Sequence, residues 1–410
     1  MPDPTTRHAL ASREQELRTL FELSQAFGRA LDGEAILNRL GFALMGQLFV
    51  TRVVVALREG ADGLRVALAR GVAAAPDVPA SFADLAGPSA LDAESALGRA
   101  GFTAAVPLRA GDVSRGVVLL GPRASGAPLD ASGFDFAAAL AALAVGALET
   151  ADRVAERVAG ERVAEEMRLA RGIQLRLLPG VIPALPGLDV AVRWRPSRTV
   201  SGDTYDVAAV GGGRLFVAVA DVVGKGLPAA LLMATVQAGL RMLRPDVAAA
   251  ADVGAALSTA AGRLDRLVAE STEPHQFVTL ALAVVDAGAG CVWSVAAGHP
   301  APRVVRADGT VEALEAGGPL LGVLPGASFG SASTPFRPGD TLVVFSDGLT
   351  EALRADGEEW GEAGLDAALA PGLAASDLLD GLMAASDAFA TGADEADDLT
   401  AVAVRYAGPA

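Results

Sequence analysis

Several aspartates in the second half of this 410-residue chain lie where a carboxylate is expensive to place. Asp221 ends the apolar run LFVAVA and opens DVVGKG. Asp347 ends TLVVFS and opens DGLTEA. Asp397 and Asp398 immediately precede LTAVAVRY, and Asp203 sits in SGDTYD. A carboxylate at the end of a buried strand costs free energy unless its charge is compensated. Only three His and one Cys occur in the chain, so the compensators are Arg, Lys or a hard cation. Oxygen-only ligands favour Mg2+, Mn2+ or Ca2+ over Zn2+. A lone aspartate at a strand end is ordinarily a turn former or helix cap. Four such places in one domain, beside glycines, turn the reading toward metal chemistry.

Other chemistries are poorly served. Cys291 lies within the apolar GCVWSV, and a single cysteine makes neither an intrachain disulfide nor a thiolate metal site. No Ser–His–Asp arrangement is suggested. A net charge of −16, with a pI near 4.7, disfavours nucleic acid and anionic lipid as partners. An acidic protein can still take an anionic substrate when a cation mediates the contact.

The elements that must hold these carboxylates follow from hydrophobic spacing. Apolar runs predict strands over Asp189–Trp194, Arg214–Ala220, Phe277–Val285, Cys291–Ala297, Thr341–Phe345 and Leu399–Arg405. Helices are expected over Pro228–Leu243, with Pro245 beyond its end, over Ala251–Val268, and within Leu365–Ala390. Strands that do not alternate, interleaved with long helices, argue for sheets buried on both faces.

VSGDTYD, ADVVGKGLPAALLM, FVTL, AGHPAP, GGPLLGV, GDTLVVFSDGLTEA and DDLTAVAVR, in this order, resemble the SpoIIE/RsbU-like branch of the PPM (PP2C-type) serine/threonine phosphatases. The resemblance covers about 168–405, and EEMRLARGIQLRLLP looks like the helix that leads into that domain. It implies an αββα sandwich with two Mn2+ or Mg2+ ions at one edge, and no further cofactor. Carried over, Asp221 bridges both metals and the Val222 carbonyl completes one shell. Asp347 and Asp397 bind one metal, with Asp398 as the alternative to Asp397, and Asp203 holds the neighbouring site directly or through water. Thr204 stands where Phe is usual, and Val223 where Ser is common. Relative to the wider family, Val223 replaces a His, so a general acid is missing there. His299 is a candidate for that role or a loop histidine serving backbone groups. Lys225 either meets the substrate phosphate or belongs to a turn shaped by Gly224 and Gly226.

The first half reads as a separate α+β domain. Helical spacing runs from about Glu14 to Leu48, followed by strands at Arg52–Leu57 and Leu64–Ala69 about the turn Gly60-Ala61-Asp62-Gly63. A loop over 71–100 with one short helix precedes strands at Thr103–Leu108 and Gly116–Leu120, and a helix begins near Asp130. This order resembles a GAF domain, which implies a pocket for a small-molecule ligand; a dimerising domain without a ligand is the alternative. The charged stretch from 149 to 178 carries a narrow apolar stripe (Val154, Val158, Val163, Met167, Ile173, Leu177) suited to a coiled coil. It either pairs two copies in parallel or is a plain connecting helix.

The expected organisation is therefore a GAF-like sensory domain at 14–149, a helical linker at 150–180 and a PPM-type domain at 181–407. The expected function is dephosphorylation of a partner protein in bacterial signalling. For this branch the implied substrate is a phosphorylated STAS-domain anti-sigma-factor antagonist, and hence sigma-factor regulation. A catalytically silent binding module using the same surface is the alternative. No signal-peptide pattern opens the sequence, and the longest unbroken apolar run, Phe136 to Leu148, is short of the ~20 residues a membrane span needs. The expected location is cytoplasmic.

Overall fold

The computed structural model describes residues 17–28, 32–60, 63–273, 275–324, 326–391 and 397–408. The expected start at Glu14 and the turn residues Ala61 and Asp62 lie outside the described residues. The chain divides into two compact units, Met1–Val163 and Ala164–Ala410.

In the first unit, residues 17–28 form helix α1 and Gly33–Leu48 forms α2. The helical spacing had suggested one run here. Asp32 instead has extended backbone and accepts hydrogen bonds from the Glu34 and Ala35 amides, so it caps the start of a new helix. Five antiparallel strands follow: β1 (Val53–Glu59), β2 (Gly63–Arg70), β3 (Ser89–Ala90), β4 (Ala104–Ala110) and β5 (Val113–Leu120). They form one sheet in the order β2-β1-β5-β4-β3. The segment expected as loop holds β3, a 3-10 turn at Ala80–Asp84 and the short helix α3 (Ala96–Arg99).

Helix α4 runs unbroken over Ala131–Leu177. Its glycines at 160 and 172 weaken helix propensity but do not interrupt it. By length and composition, α4 is apolar enough in part to cross a membrane. Its residues Phe136, Leu140, Val145 and Leu148 are buried in the core with Leu40, Val55 and Val106, the arrangement of a core helix.

The second unit is a four-layer αββα sandwich. One sheet has the order β13-β10-β9-β8-β7, from Gly317–Gly318, Cys291–Ala297, Val278–Asp286, Arg214–Val222 and Thr204–Ala209, with β14 (Ala332–Pro335) also pairing with β10. The other has the order β12-β11-β15-β16-β6, from Val311–Ala313, Arg303–Val305, Thr341–Phe345, Leu399–Tyr406 and Leu188–Arg195. Alternation along β8 shows how the layers arise. Leu215, Val217 and Val219 meet Leu342, Val344, Val402 and Val404 of the other sheet. Phe216, Ala218 and Ala220 face α5 (Leu227–Ala249) and α6 (Val253–Ser271). The opposite face of the second sheet packs Val343, Phe345 and Ala401 against α7 (Gly361–Ala368) and α8 (Ala375–Phe389). Each sheet is thus buried on both faces, which is why its strands read as continuous apolar runs.

Most expected boundaries shift by one to four residues, and the expected helix end at Leu243 is wrong by more. Helix α5 continues through Pro245 to Ala249. Pro245 removes one amide donor and crowds the carbonyl one turn before it, but Val247 beyond it is buried in the same core, and the helix continues through the proline.

Candidate metal centre

The aspartates come from both sheets, at one end of the sandwich. Asp221 is the penultimate residue of β8 and lies opposite Thr279 on β9. Asp203 precedes β7. Asp347 opens a 3-10 turn directly after β15 and Ser346, and Asp397 and Asp398 lead into β16.

The two halves are tied by specific polar contacts. The Thr400 hydroxyl, on β16, donates to Asp203 Oδ2 at 2.5 Å, and Trp194 Nε1, on β6, donates to the Asp203 carbonyl at 3.3 Å. The Thr400 amide donates to Ser346 Oγ at 3.0 Å, beside Asp347. Gly348 allows this turn to approach β16: a Cβ there would collide with the Asp398 carbonyl oxygen.

Most of the charge in this group is uncompensated. Burial raises the Asp203 carboxyl well above its ordinary range, and the Asp221 charge raises it further, against the Thr400 and Ser346 hydrogen bonds. Asp221 is pushed up to about 7, chiefly by burial and then by Asp347, while a hydrogen bond with Asp203 opposes the shift. Asp347 is raised by burial and by Asp397. Even Glu351, four residues on, is raised by burial, Asp347 and Asp397. Like-charged carboxyls gathered in a poorly solvated place call for a cation.

The donors suit a hard divalent ion. A Cβ on Gly202 would lie 2.8 Å from the Val222 carbonyl oxygen, 3.4 Å from Asp221 Oδ1 and 3.6 Å from the Gly224 carbonyl oxygen. Glycine thus leaves room where three oxygens converge. Among the described residues, however, no three acidic, His or Cys side chains already close around one point. Lys225 Nζ stands 3.3 Å from Asp397 Oδ1 and supplies a local counter-charge.

Asp397 and Asp398 differ sharply in their surroundings. Asp398 Oδ1 accepts from the Ser197 amide at 2.6 Å and its hydroxyl at 2.7 Å. Its Oδ2 accepts from the Ser201 hydroxyl at 2.6 Å and the Gly202 amide at 2.9 Å. Both oxygens are taken up in holding the loop that carries Asp203. Asp397 is exposed, with Lys225 and the Asp398 amide on Oδ1.

His299 is buried, and burial lowers its pKa to about 4. Its Nδ1 lies 2.7 Å from the Thr279 hydroxyl. A ring held neutral in this way carries no proton to give near pH 7. Sequence reasoning passed over Ser201, Thr400 and Gln174, whose side chains organise the Asp203 loop. The one available signal was proximity: Ser201 and Thr400 flank the acidic motifs, and Gln174 lies within the helix leading in.

A sequence profile of Stage II sporulation protein E (SpoIIE) matches residues 211–407, which include Asp221, Asp347 and Asp397 but not Asp203. These residues form a SpoIIE-family domain. The chain is also similar to the phosphoserine phosphatase RsbU of Bacillus subtilis, 28% identical over 202 residues that are 48% of this chain and 57% of that protein. Protein IcfG of Synechocystis is 28% identical over 260 residues, 58% of this chain and 41% of IcfG. The chain therefore spans about half the length of these relatives. Among solved structures, the SiaA-PP2C domain of Pseudomonas aeruginosa superposes with a TM-score of 0.53 at 18% identity, over 60% of this chain and 98% of that one. The sandwich is the PP2C-type fold.

Proposed function

We propose that the chain is a metal-dependent phosphatase acting on phosphoserine or phosphothreonine of a partner protein in bacterial signalling. The observation that carries the proposal is the gathering of Asp203, Asp221, Asp347 and Asp397, from two sheets, into one group of largely uncompensated charge, all but Asp203 within the residues that match SpoIIE. Asp221, with the Val222 carbonyl beside it, is assigned the central ligand position. Asp347 and Asp397 flank it, and Asp203 holds the far side. The saturated oxygens of Asp398 favour Asp397 as the ligand.

Two Mn2+ or Mg2+ ions held there would supply Lewis acidity and an activated water for in-line attack on phosphorus. The protein's own part is to fix the oxygens. Thr400 and Ser346 orient Asp203, Asp398 fastens the loop before it, and Gly202 keeps a methyl group out of the oxygen cradle. Lys225 is partly exposed and beside Asp397, placed to turn its ammonium toward an incoming phosphate.

Several finer assignments extend the proposal. The substrate is a STAS-domain phosphoprotein of a partner-switching system that regulates a sigma factor. The first unit, with five antiparallel strands between helices, is a GAF-like sensory domain, and residues 150–180 serve as the helical linker to the phosphatase domain. The exposed Val158, Val163, Leu169 and Ile173 of α4 pair two copies in a dimer, and the protein works in the cytoplasm.

Hydrolysis of p-nitrophenyl phosphate tests the core of the reading. Turnover with Mn2+ is expected to stop with EDTA and in Asp221→Ala and Asp347→Ala. Metal-independent turnover, or full activity in either variant, refutes it.

A further inference from the structure

Gln174 lies on the last turns of α4, and it is 3% exposed although its side chain is polar. Its amide makes a reciprocal pair with one residue. Nε2 donates to the Ser201 carbonyl at 2.6 Å, and Oε1 accepts from the Ser201 amide at 3.1 Å. Ser201 lies before β7, outside any sheet ladder, and is fully buried. Gln174 therefore does for Ser201 what a neighbouring strand would do: it satisfies a buried N–H and a buried C=O together.

Ser201 in turn sets the loop. Its hydroxyl donates to Asp398 Oδ2 at 2.6 Å and accepts from the Asp203 amide at 3.0 Å. A chain of hydrogen bonds thus runs from α4 through Ser201 to the backbone of Asp203. Nearby, Arg171 Nη1 donates to the Thr199 carbonyl at 3.0 Å, an exposed contact that adds less.

We propose that Gln174 is a positioning residue for the metal centre, holding the Ser201–Asp203 loop where Asp203 and the Gly202 cradle can take an ion. This rests on the metal-dependent reading above. Only glutamine combines a donor, an acceptor and this reach. Asparagine is one methylene short, and methionine fills the space without either bond.

The test uses the full chain with Mn2+ as the probe. Mn2+ affinity is measured by calorimetry, without turnover, alongside kcat and KM for p-nitrophenyl phosphate across a Mn2+ titration. Gln174→Met conserves volume. It is expected to weaken Mn2+ binding about tenfold or more, the usual scale for losing support behind a metal ligand. Turnover should recover at high Mn2+, with KM changed less than about threefold, since a group acting only behind the ligands leaves substrate contacts in place. Gln174→Asn should follow it, and serves alone if the Met variant does not fold. Folding is checked by circular dichroism. A folded variant with the wild-type Mn2+ constant and kcat overturns the role of Gln174 while leaving the phosphatase reading standing. A wild-type chain that neither binds Mn2+ nor hydrolyses the ester overturns both.

Discussion

Asp221→Asn should stabilise the metal-free protein while destroying its metal response. The Asp221 carboxyl is lifted from an ordinary 3.8 to about 7, mainly because it is buried and faces Asp347. A displacement of that size corresponds to about 4 kcal/mol against the charged form at pH 8. That figure is an upper limit, since neighbouring groups relax, so a gain of about 1–4 kcal/mol is expected. The sign follows from proton linkage. The folded protein holds a proton on Asp221 between about pH 4 and pH 7 that the unfolded chain has released, so metal-free stability falls as pH rises through that window. Asparagine removes this dependence, and its amide can donate to Asp203. Trp194, Trp293 and Trp360 are the chain's three tryptophans and all lie in the second unit, so their fluorescence during urea unfolding reports that unit. Near pH 4 in EDTA the difference should be small, and at pH 8 the variant should be the more stable. Adding Mn2+ at about a hundred times its dissociation constant should stabilise wild type alone, by about 2.7 kcal/mol. If the variant is no more stable than wild type at pH 8 in EDTA, the picture of an uncompensated buried carboxylate fails.

Gly202→Ala places a methyl group 2.8 Å from the Val222 carbonyl oxygen, and calorimetry should show Mn2+ affinity reduced by about tenfold or more; an unchanged affinity would remove the cradle from the site. Arg244 makes an ion pair with the fully buried Asp206, so Arg244→Met should cost about 3–5 kcal/mol in urea unfolding, with much of it recovered in the double variant Arg244→Met/Asp206→Asn. His299, held neutral at a pKa of about 4 against an ordinary 6.5, takes up a proton on unfolding in that interval, so stability falls as pH drops through it. In His299→Gln this acid limb should be shallower, and the pH dependence of kcat between pH 6 and 8 should be unaltered.

The long buried elements could be read from the sequence because their burial on both faces removes ambiguity. Cys291–Ala297 and Thr341–Phe345 have the same limits in sequence and structure. β7 was missed because TYDVAA carries Tyr205 and Asp206, and nothing local announces that Arg244 neutralises the aspartate. The short strands β11 to β14 exist through pairing, not propensity. At the centre, an aspartate ending an apolar run is conspicuous, so Asp221 and Asp347 could be picked out one residue at a time. Gln174 could not. A glutamine on a charged helix looks like any solvated residue until the Ser201 backbone, 27 positions away, is brought against it.

The placement of β16 bears on how the domain is made. It lies between β15 and β6, pairing along its full length with a strand formed some two hundred residues earlier. Until β16 is synthesised, β6 and β15 both present unpaired edges, Asp203 lacks the Thr400 hydroxyl, and the Ser197–Gly202 loop lacks Asp398. So wide a separation makes closure slow and leaves those edges open to wrong partners meanwhile. A nascent chain stalled before Asp397 therefore carries Asp221 and Asp347 without the contacts that set the Asp203 loop beside them, and these form only when the sheet is stitched shut.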